Sequence, residues 1–260
     1  MTTAGPPATI HFVGAGPGDP QLLTLKGRAL IEQADVIVFA DSLVDARVCE
    51  FARPDADIHG SSSLTLEQTL ELMLSAAREG KRVVRLQSGD PSIYGAINEQ
   101  IAILEREGVP YEIVPGVSSA FAAAARLGVE MTVPNVSQTV ILTRRSGRAS
   151  AVPALEELRT LAAHQASMAI FLSAAMMGKV VRDLVSAGYP ATTPCAVVYK
   201  VSWPDEKIVR GTLADIGRKV RAARFTRQAI ILVGAAFGER SDERSRLYAP
   251  DYVHLFRSSG

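Results

Sequence analysis

Short apolar runs alternate with helical periodicity through the first half of the chain. Four runs rich in β-branched or aromatic residues predict buried strands at positions 9–13, 36–39, 83–86 and 111–114. Apolar residues then recur three or four positions apart, which predicts helices at 22–33, 65–78 and 93–106 and an alanine-rich helix ending at Leu127. Strand, loop and helix repeated in this order are typical of a parallel sheet covered by helices, which is an α/β fold.

The alternation pauses near positions 132–135, and we predict a boundary there between domains 1–134 and 135–260. The second half has five more apolar runs that predict strands, at 139–142, 168–172, 196–201, 207–210 and 230–233. The strands at 196–201 and 207–210 are predicted to be antiparallel, because a parallel pair needs a crossover of about a dozen residues or more. We therefore expect a second α/β domain with a mixed sheet, and a charged tail from Glu239 that lies over the surface.

Composition and charge argue against several classes of protein. The 28 basic and 27 acidic residues leave a net charge of +1, which argues against a nucleic-acid binder. No apolar run reaches the ~18 residues of a membrane-spanning helix, and the first residues lack the layout of a signal peptide. Cys49 and Cys195 stand far apart, and the four histidines show no metal-ligand spacing, so we expect a cytoplasmic protein without disulfides or bound metal.

The loop at positions 14–19 follows a predicted strand and resembles a dinucleotide-binding loop only in part. Asp19 stands where that motif needs its third glycine, and Pro17 stiffens a backbone that a pyrophosphate must approach closely. A phosphate-binding P-loop is also absent, since Gly80-Lys81 is followed by Arg82 and not by Ser or Thr. By itself the loop is either a tight turn or a ligand site.

Two further loops follow predicted strands and carry hydrogen-bonding side chains. In the loop that begins at Ser88, Gly89 allows close backbone approach, and Asp90 could accept from a ribose hydroxyl or an amine. Asp90 could equally cap the next helix. In the loop at 115–119, Ser118 or Ser119 is either a helix cap or a ligand contact.

A basic cluster follows the strand predicted at 139–142, and it contains Arg144, Arg145 and Arg148. Such a cluster is either a solvated loop or a site that holds carboxylates.

Together, the loops resemble the signatures of the tetrapyrrole methylase family, in the same order and each at a strand end. The matching strings are 12–24, 89–95 and 115–119, and the likeness extends over nearly the whole chain. Further strings resemble the precorrin-4 C11-methyltransferase branch of that family, at 40–44, 136–144, 202–208 and 245–248. Asp41 departs from the pattern, since a smaller residue such as glycine is expected there.

The resemblance implies two α/β domains with S-adenosylmethionine in the cleft between them, and usually a homodimer. It implies methyl transfer to C-11 of precorrin-4, giving precorrin-5 and S-adenosylhomocysteine. The alternatives are a cobalt-containing precorrin-4 or another ring position, as in uroporphyrinogen-III methylation. An alternative from another class is a nucleotide-binding regulatory module, against which the failed dinucleotide motif weighs.

Site residues carry over from the family by motif. The expected cofactor contacts are Pro17, Ser88, Gly89, Asp90, Ile93, Tyr94, Ser118, Ser119, Leu172, Ser173 and Val201. Arg144 and Arg145 are expected to hold the acetate and propionate groups of the tetrapyrrole, with Lys200, Lys207 or Arg210 as the alternative. We expect catalysis by positioning alone, because a sulfonium methyl is already activated and the acceptor carbon is electron-rich. The rival hypothesis is a general base, for which Asp41 and His11 are the candidates.

Overall fold

The computed structural model describes residues 6–147, 151–238 and 252. The described residues fall into two compact units. One contains the chain up to Ala122 together with Lys200–Glu206, and the other contains Ala123–Tyr199 and the chain from Lys207 onward. The domain boundary expected after position 134 stays a prediction. That position lies in a turn where Val133 bridges Ser137 and Asn135 has a φ of 60°.

The first unit contains a five-stranded sheet in the order β3-β2-β4-β1-β5. Its strands are β1 (Ile10–Gly14), β2 (Val36–Phe39), β3 (Asp57–Gly60), β4 (Val83–Gln87) and β5 (Tyr111–Val114). Every pairing is parallel, so the predicted parallel sheet is confirmed. The sequence pattern missed β3, because this edge strand has only one large apolar residue, Ile58, and that residue is exposed.

Four helices of the first unit follow the strands, with α4 continuing into the second unit. They are α1 (Leu25–Gln33), α2 (Leu66–Arg78), α3 (Asn98–Arg106) and α4 (Ser119–Leu127). Helix α2 begins where the sequence predicts, because Thr65 and Gln68 form a capping box. An apolar cluster lies on each face of the sheet. One cluster contains Phe12 and Val38, and the other contains Val13 and Ile37. The sheet is therefore buried on both faces.

Two of these helices begin later than the sequence predicts. Helix α3 begins at Asn98 and not at position 93, because Tyr94 and Ala96 have positive φ values of 57° and 49°, which a right-handed helix cannot contain. Helix α1 begins at Leu25, where the Thr24 side chain accepts a hydrogen bond from the Gly27 N–H. The residues before it form a separate 3₁₀ turn, Pro20–Leu22.

The second unit contains a five-stranded mixed sheet in the order β6-β7-β10-β8-β9. Its strands are β6 (Val140–Arg144), β7 (Ser167–Phe171), β8 (Pro194–Tyr199), β9 (Lys207–Thr212) and β10 (Ala229–Val233). Strands β6 and β7 are parallel, and the other three pairings are antiparallel. The predicted mixed sheet and the predicted antiparallel pairing of β8 with β9 are both confirmed.

Three further helices pack in the second unit: α5 (Leu158–Ala162), α6 (Met177–Ser186) and α7 (Ile216–Ala223). Leu158, Leu184 and Ile216 from these helices join a core with residues of β7, β8 and β10. The tail from Glu239 and the string 245–248 lie outside the described residues. Within the described part of the chain, no helix is both long enough and apolar enough to cross a membrane.

Candidate functional site

Three of the loops singled out by the sequence emerge side by side from the first sheet. They follow β4, β1 and β5, which are neighbours in that order. Because these strands are parallel, their carboxyl ends lie at one edge, where ligands of open α/β sheets usually bind. The structure therefore brings together the loops that begin at Ala15, Ser88 and Pro115.

The three loops approach each other so closely that side chains are excluded at the contact. Gly16 and Gly89 exchange two backbone hydrogen bonds, of 3.3 and 2.8 Å. A Cβ atom on Gly116 would lie 2.1 Å from the carbonyl oxygen of Gly89, and one on Gly14 would lie 2.6 Å from the Cα of Gly116. Only glycine fits at Gly14 and Gly116, where the loops pack backbone against backbone.

Asp90 joins two of these loops through its carboxylate. Oδ1 accepts from the Ser92 N–H at 2.8 Å, and Oδ2 accepts from the Gly116 N–H at 3.0 Å. Asp90 is not the cap of α3, because that helix begins only at Asn98. Each carboxylate oxygen has more than one lone pair, so both can accept a further hydrogen bond from a ligand.

The loop that contains Pro17 is held by the segment Lys200–Glu206 of the same unit. The indole N–H of Trp203 donates to the Pro17 carbonyl at 2.9 Å, and the Asp19 N–H donates to Ser202 Oγ at 2.9 Å. A Cβ on Gly18 would lie 2.1 Å from the Trp203 ring. Val201, an expected cofactor contact, is buried in this segment. The sequence showed the Ser-Trp-Pro string at 202–204 but not its position against Pro17.

The other expected cofactor contacts in this unit flank the same loops. Tyr94 has a φ of 57° and an exposed ring, while Ile93 before it is half-buried. A non-glycine residue held at positive φ stores strain, which is often found at binding sites. Ser118 precedes α4 and its hydroxyl accepts from the Ala120 N–H at 3.4 Å, so it occupies the N-cap position, and Ser119 is the first residue of the helix.

A second polar group lies at the carboxyl ends of β2, β3 and β4. The Asp41 carboxylate accepts from the side chain and the backbone N–H of Ser62, at 2.6 and 2.7 Å, and these bonds lower the pKa of Asp41. Arg85 Nη1 donates to Ser61 Oγ at 2.9 Å, and burial lowers the pKa of Arg85 to about 10. The sequence reasoning missed Arg85, although a charged residue inside a central strand was a usable signal.

In the second unit, the expected contacts Leu172 and Ser173 follow β7. Leu172 has a φ of 52° and is 66% exposed, which is unusual for a leucine and consistent with a binding surface. Ser173 is fully buried, donates to the Phe171 carbonyl at 2.7 Å and accepts from the Arg145 N–H at 2.9 Å. Ser173 therefore uses its hydroxyl to connect the ends of β6 and β7.

The basic cluster is engaged within its own unit. Arg145 Nε donates to Asp183 Oδ2 at 2.6 Å, and Arg144 Nη2 donates to the Ala151 carbonyl at 2.9 Å. A cavity of about 650 Å³ beside Arg145 is also lined by Lys179 and Arg182. Arg148 lies outside the described residues. The assignment of Arg144 and Arg145 to the substrate carboxylates stays a prediction. Those carboxylates would have to compete with the internal partners of the two arginines.

Two of the three alternative cations are also engaged. Lys200 forms an ion pair with Asp205 at 2.7 Å, and Arg210 donates to the Leu127 carbonyl at 3.0 Å. Lys207 is the first residue of β9 and is exposed.

His11 lies toward the amino end of β1, three residues before the strand ends at Gly14. Its Nε2 lies 3.5 Å from Glu112 Oε2, and burial lowers the pKa of His11. At about 3.3 Å per residue, the Pro17 loop begins roughly 10 Å further along the strand. His11 is therefore poorly placed to act as a base at that edge. In the part of the chain that the structure describes, no three His, Cys, Asp or Glu side chains gather as metal ligands would.

The chain is similar in sequence to one family of known proteins. The family model of the Tetrapyrrole (Corrin/Porphyrin) Methylases matches residues 9–217. A cobalt-precorrin-4 C(11)-methyltransferase of Methanocaldococcus jannaschii is 51% identical, over 96% of this chain and 96% of its own length. A precorrin-4 C(11)-methyltransferase of Pseudomonas aeruginosa is 48% identical, over 96% of this chain and 98% of its own.

Solved structures show the same likeness in three dimensions. The X-ray structure of a cobalt precorrin-4 methyltransferase matches with a TM-score of 0.86 and 48% identity, covering 88% of this chain and 96% of that one. A uroporphyrin-III C-methyl transferase from Thermus thermophilus, solved with S-adenosyl homocysteine, matches with a TM-score of 0.75 and 29% identity, covering 88% and 98%. The family model matches most of the chain and the relatives match nearly its full length, so this protein belongs to the Tetrapyrrole (Corrin/Porphyrin) Methylases.

Proposed function

We propose that this protein transfers a methyl group from S-adenosylmethionine to C-11 of precorrin-4, giving precorrin-5 in corrin biosynthesis. The observation that carries the proposal is an identity of about one half, over nearly the whole chain, to relatives named for this reaction. Those relatives include enzymes named for the cobalt-containing substrate and for the cobalt-free one. Cobalt-precorrin-4 is therefore the second candidate substrate.

The residues at the first sheet's edge fit S-adenosylmethionine. Gly14, Gly89 and Gly116 let the three loops pack backbone against backbone, which brings the loops together at the edge where ligands of this fold bind. Asp90 keeps lone pairs for a hydroxyl or ammonium donor while it holds the loops together. A related structure solved with S-adenosyl homocysteine supports the same cofactor here.

In this proposal the protein acts by positioning. When bound, S-adenosylmethionine supplies an electrophilic methyl group on a positively charged sulfur. The loops at Pro17, Ser88 and Pro115 bind and orient the donor, and close alignment can contribute ~7–11 kcal/mol to catalysis. Asp41 is a poor general base, because its hydrogen bonds from Ser62 favour the charged form and hold its pKa low.

A methyl-transfer assay tests the function. The enzyme is incubated with ¹³C-methyl-labelled S-adenosylmethionine and either precorrin-4 or cobalt-precorrin-4. We expect a product that is one methyl group heavier, with the label at C-11 by NMR and with an equal amount of S-adenosylhomocysteine. The substrate that is methylated faster shows whether the enzyme acts on the cobalt-containing or the cobalt-free precorrin-4. No labelled product from either substrate would overturn the proposal.

A ligand-binding assay separates an enzyme from a nucleotide-binding regulatory module. Thermal unfolding is compared with S-adenosylhomocysteine, NAD and ATP, since a ligand that binds only the folded state raises the midpoint. We expect a rise with S-adenosylhomocysteine alone.

The expected homodimer and cytoplasmic location remain part of the proposal, and light scattering and cell fractionation test them.

A further inference from the structure

Strand β4 contains two polar residues where the fold calls for apolar ones. It lies at the centre of the first sheet, between β1 and β2, and all five of its residues are buried. Strands buried on both faces of a parallel sheet are normally continuous apolar runs. Arg85 and Gln87 break that run, with only 7% and 6% of their surfaces exposed. Such a break in a local rule is most often found at a functional site.

The surroundings of Arg85 make its charge costly. By strand register it lies between Phe12 and Val38, both of which are fully buried. Nη1 donates to Ser61 Oγ, but among the described residues no acceptor lies within reach of the buried Nε. Within residues 6–147, 151–238 and 252, no carboxylate lies at ion-pair distance from the guanidinium. A buried cation without a paired anion is strongly unfavourable.

The charge of Asp41 favours the cationic form of Arg85, but this carboxylate is committed elsewhere. Asp41 accepts from the backbone N–H and the hydroxyl of Ser62. It therefore stabilises Arg85 only through space and supplies no acceptor to Nε.

Gln87 adds a second unmatched donor on the same face. Residues two apart on a strand point to the same side of a sheet, so Arg85 and Gln87 are neighbours. The Gln87 side-chain nitrogen is buried, and the described part of the chain offers it no acceptor. Gln87 is also the last residue of β4 and directly precedes Ser88, where the proposed cofactor loop begins. Two buried donors therefore lie beside the edge where ligands of this fold bind.

We propose that Arg85 and Gln87 form a subsite for a carboxylate group of a bound ligand. The inference rests on the function proposed above, which supplies two sources of this chemistry. One is an acetate or propionate side chain of the tetrapyrrole, and the other is the carboxylate of the cofactor's methionine part. A carboxylate would provide the anion and the acceptors that both side chains lack, and an arginine fork matches its geometry.

Two titrations of Arg85→Met test the subsite and identify the source. Uroporphyrin III, a stable tetrapyrrole with acetate and propionate groups, is titrated by absorbance, and S-adenosylhomocysteine is titrated by calorimetry. We expect the affinity for one of these probes to fall about tenfold or more, because a hydrogen bond to a charged partner is lost. A loss confined to uroporphyrin III assigns the subsite to the substrate, and a loss confined to S-adenosylhomocysteine assigns it to the cofactor.

Stability provides the readout that separates a ligand site from a structural role. An uncompensated buried charge destabilises a protein, and replacing buried charged groups by apolar side chains of similar volume is often neutral or stabilising. We therefore expect the thermal midpoint of Arg85→Met to hold or rise. The matched control is Arg82→Met, which changes an exposed arginine directly before β4 and should leave both affinities unchanged.

Equal affinities of the wild type and Arg85→Met for both probes, including no measurable binding by either protein, would overturn the subsite. If Arg85→Met does not fold, Gln87→Met and Arg85→Lys are judged by the same criterion, since lysine keeps the charge but loses the planar fork. Neither titration requires turnover. A protein that methylates no precorrin can therefore still show an Arg85-dependent affinity, and the two failures are distinguishable.

Discussion

The indole N–H of Trp203 donates a hydrogen bond of 2.9 Å to the carbonyl oxygen of Pro17, from 186 residues further along the chain. The same ring lies against Gly18, where a Cβ would approach it to 2.1 Å. Trp203 therefore holds the loop that we propose binds the cofactor, and the Lys200 ammonium lies 4.9 Å from the centre of its ring.

Removing the indole donor should weaken cofactor binding. In Trp203→Phe the ring contact with Gly18 is largely kept, but the bond to Pro17 is lost. A neutral hydrogen bond contributes about 1 kcal/mol, so we expect calorimetry to show up to about fivefold weaker binding of S-adenosylhomocysteine. Lys200→Met, which leaves the indole donor in place, is the control. Unchanged affinity in Trp203→Phe would mean that the bond does not order the binding loop.

Wild-type fluorescence should report the same loop. Trp203 is the single tryptophan of the chain, so its emission comes from this segment alone. We expect titration with S-adenosylhomocysteine to change the emission and NAD to leave it unchanged. A flat titration, at a ligand concentration where calorimetry shows binding, would place the ligand away from Pro17.

Asp90→Ala should weaken the binding of the cofactor by about tenfold or more. The carboxylate accepts from Ser92 and Gly116, and hydrogen bonds to charged groups contribute about 1.5–3 kcal/mol. Asp90→Asn keeps one carbonyl acceptor and should fall between Asp90→Ala and the wild type. Asp55→Ala, at an exposed carboxylate, serves as the control in the same calorimetry. An unchanged affinity in folded Asp90→Ala would leave Asp90 with a purely structural role.

The role of Arg145 can be separated from its ion pair with Asp183. If Arg144 and Arg145 hold substrate carboxylates, the variant with both Arg144→Gln and Arg145→Gln should show a raised KM for the tetrapyrrole and an unchanged affinity for S-adenosylhomocysteine. Asp183→Asn breaks the same 2.6 Å ion pair but keeps the cation, so its KM should be normal or lower. Equal, normal KM values in both variants would place the substrate carboxylates elsewhere, with Arg85 as the first candidate.

Loss of the Asp41 charge should have a modest effect on turnover. The low pKa of Asp41, caused by the hydrogen bonds from Ser62, makes it a weak base. We expect kcat of Asp41→Asn to fall by less than the ~100–10,000-fold typical of a lost acid–base group. Single-turnover kinetics with saturating substrates measure the step directly. A loss within that range, with both substrates still bound normally, would falsify catalysis by positioning.

The burial of His11 should make stability depend on pH. Burial lowers its pKa below the ordinary 6.5, and Glu112 opposes this in part. The unfolded chain then binds more protons than the folded one, so stability present above 6.5 is lost as the pH falls from there toward the folded pKa. We expect His11→Gln to flatten the fall in unfolding free energy as the pH drops below the ordinary value of 6.5, by up to about 1.4 kcal/mol per pH unit. Urea unfolding measures this, with His59→Gln as the control, and identical slopes in all three proteins would contradict it.

Much of the fold could be read from local patterns. The parallel first sheet, the antiparallel pairing of β8 with β9 and the start of α2 all follow from the spacing of apolar residues and from a short connection. These signals depend on residues that are neighbours in the sequence, and they are therefore visible without a structure. The edge strand β3 was missed because pairing with β2, and not its own composition, makes it a strand.

The sequence by itself determined the family, the two sheets and three glycine loops at strand ends. Only the tertiary structure decided which side chains are available at those loops. It bonded Trp203 to Pro17 and gave Arg145 an internal partner in Asp183. It also left Arg85 buried beside Gln87, with no anion at ion-pair distance among the described residues. The physical reason is that a hydrogen bond or a buried charge depends on atoms from distant parts of the chain, whose positions no local pattern of residues specifies.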